Sequence, residues 1–144
     1  MTRTRKFLAL PALILAVSLG SSACLSDSHT EVPSLSVDQL SALMSGPQAP
    51  VIIDANSSNV REEYGVIPGA LLLTNYGSYD VATELPEDTD SNLVFYCSST
   101  QCSAAPKAAQ RASAAGYTSV QVLPEGIKGW VAAGKPVDKT EPSS

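Results

Sequence analysis

The stretch Leu93-Val94-Phe95-Tyr96-Cys97-Ser98-Ser99-Thr100-Gln101-Cys102-Ser103-Ala104-Ala105-Pro106 decides the fold. Its first four residues have no polar interruption, the pattern of a short strand buried on both faces. Residues 98–102 form a short polar loop. From residue 103 to 115 the chain is rich in Ala, a strong helix former; Pro106 is tolerated in a first turn and Gly116 supplies the stop. This order places Cys97 at the carboxyl end of a strand, where open α/β sheets bind ligands. Backbone N–H groups of such a loop, with the helix N-terminus, attract anions. Applied to a cysteine, the same field favours thiolate over thiol and makes the sulfur nucleophilic. The plain alternative is a structural cysteine packed as a small hydrophobe.

The flanking segments alternate helix and strand, which predicts an α/β fold with a mostly parallel central sheet flanked by helices. Ser36-Val37-Asp38-Gln39 is a capping-box pattern, and Val37, Leu40, Leu43 and Met44 recur at helical spacing before Gly46-Pro47. Val51-Ile52-Ile53 reads as a buried strand ending at Asp54. Pro68-Gly69 turns into a second strand, Ala70 to Leu73. Asp80 to Leu85 forms a short helix, and Pro86 to Asn92 an acidic loop. Val120 to Leu123 is a fourth strand, and Ile127 to Ala133 a closing helix carrying Trp130, ended by Gly134 and Pro136.

Composition narrows the chemistry. The chain has 144 residues, 44% hydrophobic and 16% charged, room for one globular domain. Its net charge of −5 argues against a nucleic-acid partner held by phosphate contacts. One histidine (His29) and three cysteines are too few for a Cys/His zinc cluster, and an H-E-x-x-H metal site is excluded.

Residues 1–23 have the parts of an export signal: Arg3, Arg5 and Lys6, an apolar run from Phe7 to Gly20, then Ser21-Ser22-Ala23. The run is short for a membrane span, which takes about 20 residues. With Cys24 next, the segment resembles a bacterial lipoprotein signal, in which that cysteine is acylated and becomes the new N-terminus. Ser21 stands where such signals usually carry Leu, and the ordinary signal peptidase would cut the same bond. Either route exports the protein to the cell envelope, facing the periplasm or cell exterior. Removal of residues 1–23 leaves six basic and fourteen acidic residues, a charge of −8, which repels anionic headgroups. Any membrane attachment is then by acyl chains alone. Residues 24–34 read as a polar tether that includes His29, residues 35–138 as the domain, and 139–144 as a tail.

Four blocks make the domain resemble a single rhodanese. They are the strand Val51-Ile52-Ile53-Asp54; Gly65-Val66-Ile67-Pro68-Gly69-Ala70; the loop after Leu93 to Tyr96 beginning at Cys97; and Leu123, Gly126-Ile127, Trp130 and Gly134-Lys135-Pro136. The resemblance implies a three-layer α/β fold and sulfur transfer without metal or organic cofactor. Cys97 would attack a small sulfane-sulfur donor, hold the sulfur as a persulfide and pass it to a thiol acceptor. The N–H groups of Ser98, Ser99, Thr100, Gln101 and Cys102 would cradle the outer sulfur. Asp54 is expected to be structural, accepting hydrogen bonds from loop N–H groups.

The departures bear on activity. Asn56 stands where many rhodaneses carry Arg, Val66 replaces the signature His, Cys102 takes the loop position often held by Arg, and Glu125 replaces a Gly. Arg61, read as lying in the loop after Asp54, could restore charge for an anionic donor; its alternative is a solvated ion pair with Glu62 or Glu63. With Cys24 acylated, Cys97 and Cys102 are the remaining pair. They could form a reversible disulfide with Cys102 as resolving thiol, a structural disulfide, or a two-thiolate site for a soft metal. Ser103, six residues after Cys97, takes the place of a phosphatase's Arg and argues against phosphate chemistry. The rival from another class is an inactive module that binds an envelope protein partner or a small thiol.

Overall fold

The computed structural model describes residues 31–140. The export-type segment 1–23, Cys24 and His29 lie outside the described residues, as does the tail from residue 141. The elements in chain order are α1 (Val37–Met44), β1 (Val51–Asp54), α2 (Ser58–Tyr64), β2 (Leu71–Leu72), α3 (Val81–Glu84), β3 (Asn92–Tyr96), α4 (Ala104–Ala114), β4 (Ser119–Leu123) and α5 (Gly126–Ala132). The strands form one sheet in the order β2-β1-β3-β4. Every pairing is parallel, with Asp54 opposite both Leu72 and Tyr96, and Tyr96 opposite Leu123.

Strand alternation sorts the apolar side chains into two cores, which makes three layers. On one face Ile53, Leu93, Phe95 and Val122 pack with Tyr79 and the alanines of α4. On the other, Ile52, Val94 and Tyr96 pack with Leu40, Ile127 and Trp130. Small side chains let α4 lie close on the sheet: Ala104, Ala105, Ala108, Ala109 and Ala112 are all buried. The Ser36–Gln39 capping box opens α1 with both reciprocal hydrogen bonds formed.

Three features differ from the sequence reading. Residues 58–64 form helix α2, so Arg61 sits on a helix and not in a loop. Neither Ser57 nor an acidic first turn caps that helix; Val60 and Tyr64, one turn apart, anchor it on the second core. The second strand is only Leu71–Leu72, and both side chains are exposed at the sheet edge. Finally, the stretch read as tether joins the fold before residue 35. Val122 donates its N–H to the Pro33 carbonyl and accepts from Leu35, so Ser34 bridges in parallel to the β4 edge. Among the described residues no helix is long and apolar enough to cross a membrane.

Candidate active site

All parallel strands end on one side of the sheet, and the polar side chains gather there. Asp54, the last residue of β1, has no exposed surface. Its Oδ1 accepts from the Asn56 N–H at 2.6 Å and its Oδ2 from the Tyr96 hydroxyl at 2.6 Å. The Tyr96 oxygen in turn accepts from the Ile67 N–H at 3.1 Å. Arg61 approaches Asp54 Oδ1 with Nε at 3.4 Å, an ion pair lacking hydrogen-bond alignment. The other end of the guanidinium donates to the carbonyls of Asp54, at 3.1 Å, and Leu73, at 3.0 Å. Arg61 thus clamps the ends of β1 and β2, and it lines neither of the cavities beside the cysteines. Its charge faces the buried Asp54. Tyr96 is the member of this network that the sequence reading missed. Burial, then the Asp54 carboxylate, push its hydroxyl far above the usual phenol range.

Cys97 follows β3 directly and is 3% exposed. Both Cys97 and Cys102 are free thiols. The Cys97 Sγ donates to the Cys102 carbonyl at 3.3 Å. The first-turn N–H groups of a helix have no intrahelical partners. The Ser103 side chain does not cap α4, and its first N–H groups act to lower the thiol pKa values, Ala105 on Cys97 and Ala104 on Cys102. The Ser98 N–H acts to lower the pKa of both thiols. Within the loop, Cys102 N–H is occupied by the Ser99 carbonyl, which tightens the turn.

From sequence, both sulfurs hold pKa-lowering positions, Cys97 under the loop's N–H groups and Cys102 at or just before the helix start; in the structure only Cys102 is lowered. Burial pushes the Cys97 thiol up to about 12, and its hydrogen bond to Cys102 adds to that. Burial opposes charge at Cys102 too, but hydrogen bonds from the Cys97 thiol, the Ser98 and Ala104 N–H groups and the Ser98 hydroxyl outweigh it and lower its pKa. The resting pair is therefore a Cys97 thiol beside a more acidic, half-buried Cys102.

The far side of the loop is held by α5. Ile127 and Lys128 donate their N–H groups to the Cys97 and Ser98 carbonyls, at 2.8 and 3.0 Å. That approach requires Gly126: its φ is +61°, and a Cβ there would fall 2.4 Å from the Cys97 oxygen.

Two cavities flank the loop. One, of ≈ 340 Å³, is lined by Cys97, Cys102, Thr100, Glu31, Gln110 and Pro124 among others. The second, of ≈ 290 Å³, is lined by Cys102, Ser98, Asn56, Thr74 and Tyr76 among others. Ser99 and Gln101 line neither. Among the described residues neither lining includes a Lys or Arg, and no cluster of three or more His, Cys, Asp or Glu stands ready for a metal.

Comparison with known proteins adds to this geometry. The family described as Rhodanese-like domain matches residues 36–133. No curated protein matches. Among solved structures, a thiosulfate sulfurtransferase from Pseudomonas aeruginosa is similar, with 25% identity and a TM-score of 0.65. The match covers 78% of this chain and 21% of that one, so this chain spans about a fifth of that enzyme. The BH2092 protein of Bacillus halodurans shares 22% identity at a TM-score of 0.64, covering 75% of this chain and 77% of its own. A Rhodopseudomonas palustris protein of unknown function, named as a possible tyrosine phosphatase, shares 24% at 0.63, covering 88% and 100%.

Proposed function

This chain belongs to the rhodanese-like domain family, and from that premise we propose that it carries sulfane sulfur on Cys97, with Cys102 as the resolving thiol. The observation that supports this reading is the pair itself: two free thiols beside the start of α4, the Cys97 Sγ donating to the Cys102 carbonyl at 3.3 Å, both at the wall of one cavity.

In the first step Cys97 attacks the sulfane sulfur of a donor while its proton passes to Cys102, the better stabilised thiolate. An S–S bond forms on Cys97, the donor's S–S bond breaks, and the remainder leaves with the electron pair, taking the proton from Cys102. The N–H groups at the loop and the α4 start stabilise the negative charge on the persulfide. Cys102 thiolate then attacks the Cys97 Sγ, forming the Cys97–Cys102 disulfide and expelling hydrosulfide. The sulfane sulfur is reduced to sulfide and the two thiols are oxidised. A cavity without Lys or Arg offers no fork for the charged sulfonate oxygens of thiosulfate, which favours donors without such a head, a polysulfide or an organic persulfide.

The missing cation also favours a second reading, an inactive module of the same fold that binds a partner. The two separate cleanly. Reduced protein mixed with polysulfide should release sulfide and lose both titratable thiols of the pair. No sulfide above the protein-free rate, with both thiols retained, selects the binding module.

Location belongs to the same proposal. Export with acylation of Cys24 would hold the domain at the envelope, several acyl chains giving stable attachment where one alone is marginal. Detergent-phase partitioning of the expressed protein should be lost in Cys24→Ser; unchanged partitioning removes the anchor from the account.

A further inference from the structure

Turnover of a Cys97–Cys102 dithiol needs a reductant, and the second cavity has the features of its binding site. Among the described residues Cys102 alone lines both cavities; Cys97 lines only the first. One residue of the second cavity's lining carries an unmet polar group. Asn56 is 8% exposed, and its backbone N–H is satisfied by Asp54, yet its side-chain Nδ2 has no hydrogen-bond partner. A buried amide N–H left unpaired loses its hydration without compensation, which an acceptor oxygen in the cavity would restore. The remaining polar lining (Ser57, Thr74, Asn75, Tyr76 and Ser98) is uncharged, so either a neutral carbonyl or a carboxylate can enter without like-charge repulsion from the walls.

We propose that this second cavity binds a small thiol bearing a carbonyl or carboxylate oxygen, held by Asn56, which reduces the Cys97–Cys102 disulfide by attack at Cys102. The inference rests on the dithiol reading above. The bound thiolate attacks Cys102 Sγ, forming a mixed disulfide while the Cys97–Cys102 bond breaks and Cys97 leaves with the electron pair. A second thiol then attacks the ligand's sulfur in the mixed disulfide, forming the ligand's own disulfide and freeing Cys102. Two thiols supply the two electrons. Cys97 is the poorer leaving group of the two, but access decides which sulfur is attacked, and only Cys102 reaches this cavity.

The test uses full-length protein oxidised to the disulfide with a chemical oxidant, so that it does not depend on sulfur loading. Reduction rates are measured with mercaptoacetate, mercaptoacetamide and ethanethiol, the last having no acceptor oxygen. In Asn56→Ala, the rates with the two oxygen-bearing thiols, each divided by the ethanethiol rate, should fall about tenfold from wild type, the size of one hydrogen bond. A ratio within one sample is insensitive to the folded fraction. Unchanged ratios overturn the inference. A second measurement needs no variant: mixed disulfide trapped on wild type with mercaptoacetate should map to Cys102, and mapping to Cys97 overturns it. Failure of the disulfide to form under oxidant also overturns it. Absence of sulfide release from polysulfide, by contrast, strikes the sulfur-transfer reading and leaves these rate ratios to be judged on their own.

Discussion

Asp54 and Tyr96 stand opposite each other at the ends of β1 and β3, and Cys97 is the next residue along. The two strand ends have opposite fates. At β1 both carboxylate oxygens are taken by the Asn56 N–H and the Tyr96 hydroxyl, and the adjacent Arg61 neutralises the charge. Nothing there is left to react. At β3 the Cys97 thiol donates to the Cys102 carbonyl, both sulfurs face a cavity, and no charged group but only neutral N–H, S–H and O–H donors stabilise them. A titratable residue at a strand end is thus not by itself a catalytic one; what its partners already neutralise decides.

The sharpest way to break this contrast is at the sulfur end. Cys97→Ser should abolish sulfide release from polysulfide completely while leaving the thermal unfolding midpoint close to wild type, since a hydroxyl fills nearly the same space. Persistent release would move the chemistry elsewhere. At the other end the ranking inverts. Asp54→Asn leaves the Arg61 guanidinium without its counter-charge and should cost about 3–5 kcal/mol in denaturant unfolding, with sulfide release per folded molecule little changed. An activity loss exceeding the stability loss would make Asp54 an acid or base. Tyr96→Phe removes the donor to Asp54 and the acceptor for Ile67 N–H, and should cost about 1–3 kcal/mol, again seen in unfolding curves and not in the first turnover.

The smallest expected effect sharpens the thiol pair. Cys102→Ser removes the hydrogen bond and the charge that raise the Cys97 pKa but leaves its burial. The pKa should fall from about 12 yet stay above the ordinary thiol value, as read from the pH dependence of Cys97 alkylation. No change would mean that Cys102 does not interact with Cys97.

The β3–loop–α4 unit was legible because each part signals locally: an uninterrupted apolar run, a polar loop, an alanine-rich helix. The capping box of α1 was legible for the same reason. Helix α2 was not, since Ser58-Asn59-Val60-Arg61-Glu62-Glu63-Tyr64 carries just two core-facing residues and no side-chain cap. Missing it displaced Arg61, whose contact with Asp54 exists because that helix folds it back over the strand end. Leu71 and Leu72 misled by composition: an apolar run at a sheet edge remains exposed. The division of acidity between Cys97 and Cys102 depends on which N–H groups each sulfur meets, a property of loop geometry that no spacing encodes. Asn56 is visible in sequence as the replacement of an Arg, but its unpaired amide shows only once the chain is folded.

The central claim, sulfur on Cys97 with Cys102 displacing it, is tested most directly by intact-mass and peptide-level mass spectrometry after reduced protein meets polysulfide. Wild type should end two hydrogens lighter, as the Cys97–Cys102 disulfide. Cys102→Ser should instead gain the mass of one sulfur atom on the Cys97 peptide and retain it until reductant is added. Sulfur found on Cys102 in a Cys97→Ser variant, with none on Cys97 in Cys102→Ser, would reverse the roles and contradict the account.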